Sequence, residues 1–144
     1  MKLGLSICFT PKKVTVPIEL IKHAESLGFD SAWAADVYGG DSVTIATWIL
    51  AQTSNINVGP AIMQIPARTP ACAAMTAMSL SQLSGGRFRL GLGASGPQVV
   101  EGWHGVAYRK PVTRTREYIQ IIRKIMAREA PVEFDGDIYQ LPYR

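Results

Sequence analysis

The chain has 144 residues, with 15 Lys and Arg against 11 Asp and Glu, for a formal net charge of +4. With 47% hydrophobic and 18% charged residues it is composed like a folded globular protein, which excludes a disordered chain. Thirteen glycines without a period and two cysteines exclude both a collagen repeat and a disulfide framework.

Length favours one domain over residues 1–144, large enough to bury a core. Seven of the cations fall between Arg109 and Arg128, most of them in one expected helix, and read as a solvated face. No aromatic platform or groove-reading motif accompanies them, so a nucleic-acid partner is not expected. Cys8 and Cys72 stand in apolar contexts and read as two buried free thiols in a reducing compartment. The apolar run Leu3–Phe9 is too short for a signal core or a membrane span, so the expected location is the cytoplasm, with no membrane partner.

In chain order, Leu3–Phe9 reads as a buried strand ended by Pro11. Pro17 suits a first helical turn; Leu20, Ile21, Ala24 and Leu27 share a stripe, and Gly28 is a stop. Ser31–Ala35 is a second strand, running into Asp36. Asp41 caps a helix with Ile45, Ala46, Ile49 and Leu50 on one face. Ile56–Met63 is a third strand, interrupted by Gly59-Pro60. Thr69-Pro70 opens an Ala- and Met-rich helix that stops at Gly85-Gly86. Phe88–Leu92 is a fourth strand. Thr113 caps a fourth helix, with Tyr118, Ile121, Ile122 and Ile125 at helical spacing, and Phe134–Leu141 reads as a small hairpin about a glycine turn. Met63, Met75, Met78 and Met126 read as core filler.

Four βα pairs with continuous apolar strands predict an α/β fold with a parallel sheet under helices. A doubly wound sheet and the first half of a (β/α)8 barrel both fit the order. Eight such units take roughly 250 residues, and this chain supplies four.

Gly91, Gly93 and Gly96 satisfy G-x-G-x-x-G after a strand. The fingerprint sits on the fourth strand rather than the first, and Pro97–Gly105 makes a poor long helix, so a loop where backbone approaches a flat ligand fits better than a dinucleotide fold. Asp36 stands at the C-terminal end of the second strand, where parallel βα folds build their sites; its plainer reading is a loop acid. Pro60 inside a strand marks a bulge, which at a barrel rim re-aims backbone towards a site. His23 reads as a helix residue without a catalytic part. Trp103 and His104 lie in the glycine-rich loop and are candidate substrate contacts. There is no metal-ligand spacing, Walker loop or nucleophile elbow.

Several segments together resemble one family: Ala24–Trp33, Asp36, Val58–Ile62, Arg68–Pro70, Leu83–Phe88, Leu90–Ser95 and Lys110–Glu117. In that order they resemble the bacterial-luciferase-like superfamily, and within it the F420-dependent oxidoreductases, including methylenetetrahydromethanopterin reductase. The resemblance implies the N-terminal half of a (β/α)8 barrel and hydride transfer between the deazaflavin F420 and a small-molecule substrate. It implies a non-prolyl cis peptide in strand three, which matches Ala61–Ile62, with Met63 beside it at the cofactor. Asp36 matches an acid near the ring, as a cofactor contact and catalytic group. Ser95, Gly96 and Gln98 match the loop that touches the cofactor. The loop reads Ala94-Ser-Gly-Pro97 where the methanopterin reductases carry an acid, which argues against a methanopterin substrate. Two alternatives stand beside this reading: an FMN-dependent monooxygenase of the same superfamily, and a non-catalytic half-barrel that assembles with other chains. The expected partner is a second copy of the chain or a complementary C-terminal half.

Overall fold

The computed structural model describes residues 1–8 and 12–143. Phe9, the end expected for the first strand, and Pro11, its expected stop, lie outside the described residues. The order is β1 (Gly4–Ile7), α1 (Ile18–Ser26), β2 (Ser31–Ala34), α2 (Ser42–Gln52), β3 (Asn57–Pro60), β4 (Met63–Gln64), α3 (Pro70–Leu83), β5 (Leu92–Gly93), α4 (Pro97–Gly102), α5 (Pro111–Ala127), β6 (Phe134–Asp135) and β7 (Gln140–Leu141). A 3-10 turn at Ile65–Ala67 joins β4 to α3. The chain forms two compact units, Met1–Met63 with Ser79–Leu92, and Gln64–Met78 with Gly93–Arg144.

In the first unit β1, β2 and β3 form a parallel sheet in that order, with Gly4 opposite Ser31 and Ser31 opposite Asn57. The uncharged helix α2 lies on it through Ile45, Ala46, Ile49 and Leu50, all buried as the helical spacing predicts. Asp41 caps α2: its Oδ2 accepts the Thr44 N–H at 2.8 Å, satisfying one of the helix's orphan donors. α1 buries only Ile21 and Ala24; Leu20 and Leu27, expected on the same stripe, are exposed because they flank its centre and face water. Gly28 ends the helix turn at φ +81°, a conformation glycine adopts without penalty.

Three expectations for the strands are corrected. β1 buries only Ile7, because it is an edge strand with one neighbour, and the Cys8 thiol beyond it is exposed rather than buried. The third strand is interrupted as expected, but the break falls after Pro60: β3 and β4 are separated at Ala61–Ile62, whose peptide bond is cis, as the resemblance implies. The fourth strand is not continuous over Phe88–Leu92: it makes one parallel bridge, Phe88 with Val58, and resumes only at β5. Proline chemistry explains the gap. Val58 N–H donates to Arg87 O at 3.0 Å and Arg89 N–H to Val58 O at 2.9 Å. The next donor in that ladder would be residue 60, and Pro60 has no N–H. The Arg89 carbonyl lies instead against the Cα of Gly59, where a Cβ would collide with it, and Gly91 packs in the same way on the Pro60 carbonyl. Pairing recovers where Met63 N–H donates to Gly91 O at 2.8 Å.

The same glycines make room for Trp33. Its ring lies between Gly4 on β1 and Gly59 on β3, and its Nε1–H donates to Ser31 Oγ at 2.9 Å.

In the second unit α5 begins at Pro111, two residues before the expected cap Thr113, because proline's fixed φ suits the first helical position and Lys110 turns the chain at φ 45°. Tyr118, Ile121 and Ile122 are buried, as expected. The Tyr118 hydroxyl donates to the Arg68 carbonyl at 3.1 Å, and burial pushes its pKa well above the ordinary phenol value. The hairpin expected over Phe134–Leu141 forms, with Phe134 opposite Leu141. Its turn is held by the buried carboxylate of Glu117, which accepts the N–H groups of Asp137, Ile138 and Tyr139 at 2.8, 3.0 and 3.1 Å. Met75 and Met126, expected as core filler, are exposed, and Cys72 is half-buried.

Candidate active site

Two groups of sequence-selected residues have their geometry fixed, one in each unit. In the first unit they stand at the C-terminal ends of β2 and β3. Ala61 N–H donates to Ala34 O at 2.7 Å, which ties the end of β3 to the end of β2. Asp36 follows β2 by two residues and is half-buried, just before a tight Val37–Gly40 turn. Pro60 is buried, Ala61 is exposed, Ile62 is half-buried and the Met63 side chain is wholly buried. The Met63 N–H is engaged by Gly91 O, and the whole residue is buried.

This arrangement follows from the local sequence. Pro60 ends the regular ladder, and the glycines at 59 and 91 let two backbones touch below it. The chain then presents the Ala61–Ile62 peptide with only a methyl group on its exposed side. Ala61 is exposed, and Asp36, two residues past the adjoining strand end, is half-buried.

In the second unit the loop after β5 carries Ser95, Gly96 and Gln98. Ser95 adopts φ 59°, and Gly96 caps the short helix α4, which opens at Pro97. α4 has six residues, far from the long helix a dinucleotide fold requires. Gln98 is exposed and Val100 is buried. Tyr108 closes the loop from below: its hydroxyl donates to Ser95 O at 3.4 Å and its N–H to Glu101 Oε1 at 2.9 Å. Trp103 is 62% exposed. His104 is half-buried, with Nε2 at 3.0 Å from Oε1 of Gln64.

Sequence reasoning missed Gln64 and Tyr108. Gln64 had a signal: it is an amide between Met63 and Ile65 in an apolar segment, and it is 3% exposed. Tyr108 had none, since its two contacts depend on how the loop folds back.

Residues 10–144 match the luciferase-like monooxygenases. The chain belongs to that family. A Mycobacterium tuberculosis protein whose name assigns it to the coenzyme F420-dependent oxidoreductases is 46% identical over 143 residues, 99% of this chain and 41% of that protein. The solved structure of coenzyme F420-dependent tetrahydromethanopterin reductase from Methanopyrus kandleri is 28% identical with a TM-score of 0.78, over 96% of this chain and 44% of that one. The oxygenating constituent of 3,6-diketocamphane monooxygenase from Pseudomonas putida, solved with FMN, is 26% identical with a TM-score of 0.82, over 97% of this chain and 42% of that one. The chain therefore spans less than half the length of these relatives. Its order of elements is that of four βα units of a luciferase-like (β/α)8 barrel, followed by a hairpin, as the sequence predicts. No helix among the described residues is long and apolar enough to cross a membrane.

Proposed function

We propose that the protein carrying this chain is a coenzyme F420-dependent oxidoreductase that moves a hydride between the deazaflavin and a small organic substrate. The observation that carries this reading is the Ala61–Ile62 peptide, exposed at the end of β3 beside the strand end that bears Asp36. Its support from relatives is the 46% identity to a protein named for F420.

In the first unit Asp36 and the main chain of Ala61, Ile62 and Met63 meet the cofactor. In the second unit Ser95, Gly96 and Gln98 do so, and Trp103 faces the substrate. When bound, the reduced deazaflavin supplies a hydride from ring C5, and the protein supplies orientation and a site from which water is excluded. Asp36 acts on the ring as a hydrogen-bond acceptor or holds the proton that accompanies the hydride. Assembly with a second copy or a complementary half completes the barrel, and the location is the cytoplasm.

A second reading, an FMN-dependent monooxygenase, is favoured by the likeness to the FMN-bound diketocamphane enzyme. A fluorescence titration with F420 and FMN in parallel separates the two. Tight F420 and weak FMN binding is the expected result; the reverse moves the protein to the monooxygenases. Binding of neither sinks both readings and leaves an assembly module.

A further inference from the structure

His104 reads from sequence as a substrate contact, but its side chain has an engagement within its own unit. Its Nε2 meets Oε1 of Gln64, 40 positions earlier in the chain, at 3.0 Å. An amide oxygen only accepts, so the imidazole donates from Nε2. Gln64 is 3% exposed and ends β4, two residues beyond the Ala61–Ile62 peptide, so the acceptor is anchored in a strand and not in a mobile segment.

Several other hydrogen bonds of the loop are local. His104 N–H and Trp103 N–H both donate to Val99 O at 3.0 Å, and Val106 N–H donates to Val100 O at 3.0 Å. Tyr108 reaches Ser95 and Glu101. These bonds give the loop its shape, and the pairing of β5 with β4 anchors its start. The His104–Gln64 bond ties the far part of the loop to the same strand, 40 positions away in sequence.

We propose that His104 is a positioning residue: through Gln64 it holds the loop bearing Ser95, Gly96 and Gln98 in the form that receives the cofactor. The inference rests on the deazaflavin reading above. A loop left untied must be ordered when ligand binds, and each residue ordered opposes binding. A tie made beforehand removes part of that opposition. It acts on affinity and not on the chemical step.

The test uses the protein that carries this chain, in four forms: wild type, His104→Phe, His104→Gln and Gln64→Leu. F420 affinity is read by fluorescence, and amide hydrogen exchange over residues 93–105 is read without ligand. His104→Phe keeps a flat ring but loses the donor, and Gln64→Leu loses the acceptor. Each weakens F420 binding about fivefold, the effect of one net hydrogen bond, and speeds exchange in the loop. His104→Gln restores a donor and stays within about twofold of wild type, a rescue that a mere packing role for the imidazole does not give. Wild-type affinity in His104→Phe and Gln64→Leu overturns the tie and leaves the deazaflavin reading standing. Equal loss in His104→Phe and His104→Gln also overturns it. A wild-type protein that does not bind F420 overturns both together.

Discussion

The two ends of the parallel sheet in the first unit are built on opposite plans. At the N-terminal end two charged side chains, Arg87 and Glu25, gather the backbone groups around them. Arg87 donates to Leu50 O, Thr53 O, Thr53 Oγ1, Ile56 O and Ser84 O at 2.9 to 3.1 Å, which uses all five guanidinium N–H groups. Glu25 accepts the N–H groups of Ser54, Asn55 and Ile56 at 2.9, 2.5 and 2.8 Å. Helix ends, turns and strand starts are thereby joined by two side chains of opposite charge. At the C-terminal end the ladder breaks at Pro60, Ala61 is exposed and Asp36 is half-buried. Regular pairing is given up there, and backbone is brought to the surface. In βα barrels the first end serves stability and the second serves function.

That contrast is broken most severely at Arg87. Arg87→Leu strands four carbonyl oxygens and one hydroxyl and removes the cation near Glu25. It lowers unfolding free energy by about 3 kcal/mol, read from urea denaturation, because unsatisfied groups in a half-buried setting are expensive. Gly59→Ala places a Cβ into the Arg89 carbonyl, which is backbone and moves only with its strand. It lowers stability by about 2 kcal/mol and, by shifting the support of Ala61, also weakens F420 binding.

Glu25→Gln keeps the shape of the acceptor but loses its charge and one acceptor site, for about 1 kcal/mol. Its pH dependence sharpens the same point. Burial raises the Glu25 pKa, yet the three backbone N–H groups and the Arg87 charge outweigh that, so the carboxyl titrates below its ordinary value of 4.5. A group with a depressed folded pKa stabilises fully above its unfolded value. That contribution is lost as the pH falls from 4.5 through the lowered folded value. The acid limb of a stability–pH curve is therefore flatter in Glu25→Gln than in wild type. The smallest effect on the fold is at the other end: Asp36→Ala lowers stability by less than Glu25→Gln does, under about 1 kcal/mol.

The regular half of this picture is legible in the sequence. Asp41 and the Ile45, Ala46, Ile49, Leu50 face follow from capping and helical spacing, and Gly28 from its turn. The hairpin follows from alternation about a glycine. The cis peptide at Ala61–Ile62 comes from family resemblance, since nothing in composition or spacing marks it. The irregular half is hidden for physical reasons. Phe88–Leu92 reads as a good strand by its own residues, and it is Pro60 on the neighbouring strand that denies it a donor. The glycines at 4 and 59 read as weak strand residues until Trp33 is placed between them. Nothing in the sequence marks Arg87, because four of its five acceptors lie 31 to 37 positions away. Leu3–Phe9 reads as buried, but burial needs a covering neighbour, and β1 has one only on its β2 side.

The measurement that bears most directly on this division of labour is a paired one on Asp36→Ala: F420 affinity by fluorescence titration and the urea midpoint, each against wild type. If the C-terminal end of the sheet is the cofactor face, affinity falls about tenfold or more while the midpoint moves less than that of Glu25→Gln. Unchanged affinity, or a midpoint shifted as far as that of Glu25→Gln, would place Asp36 with the structural carboxylates and contradict the account.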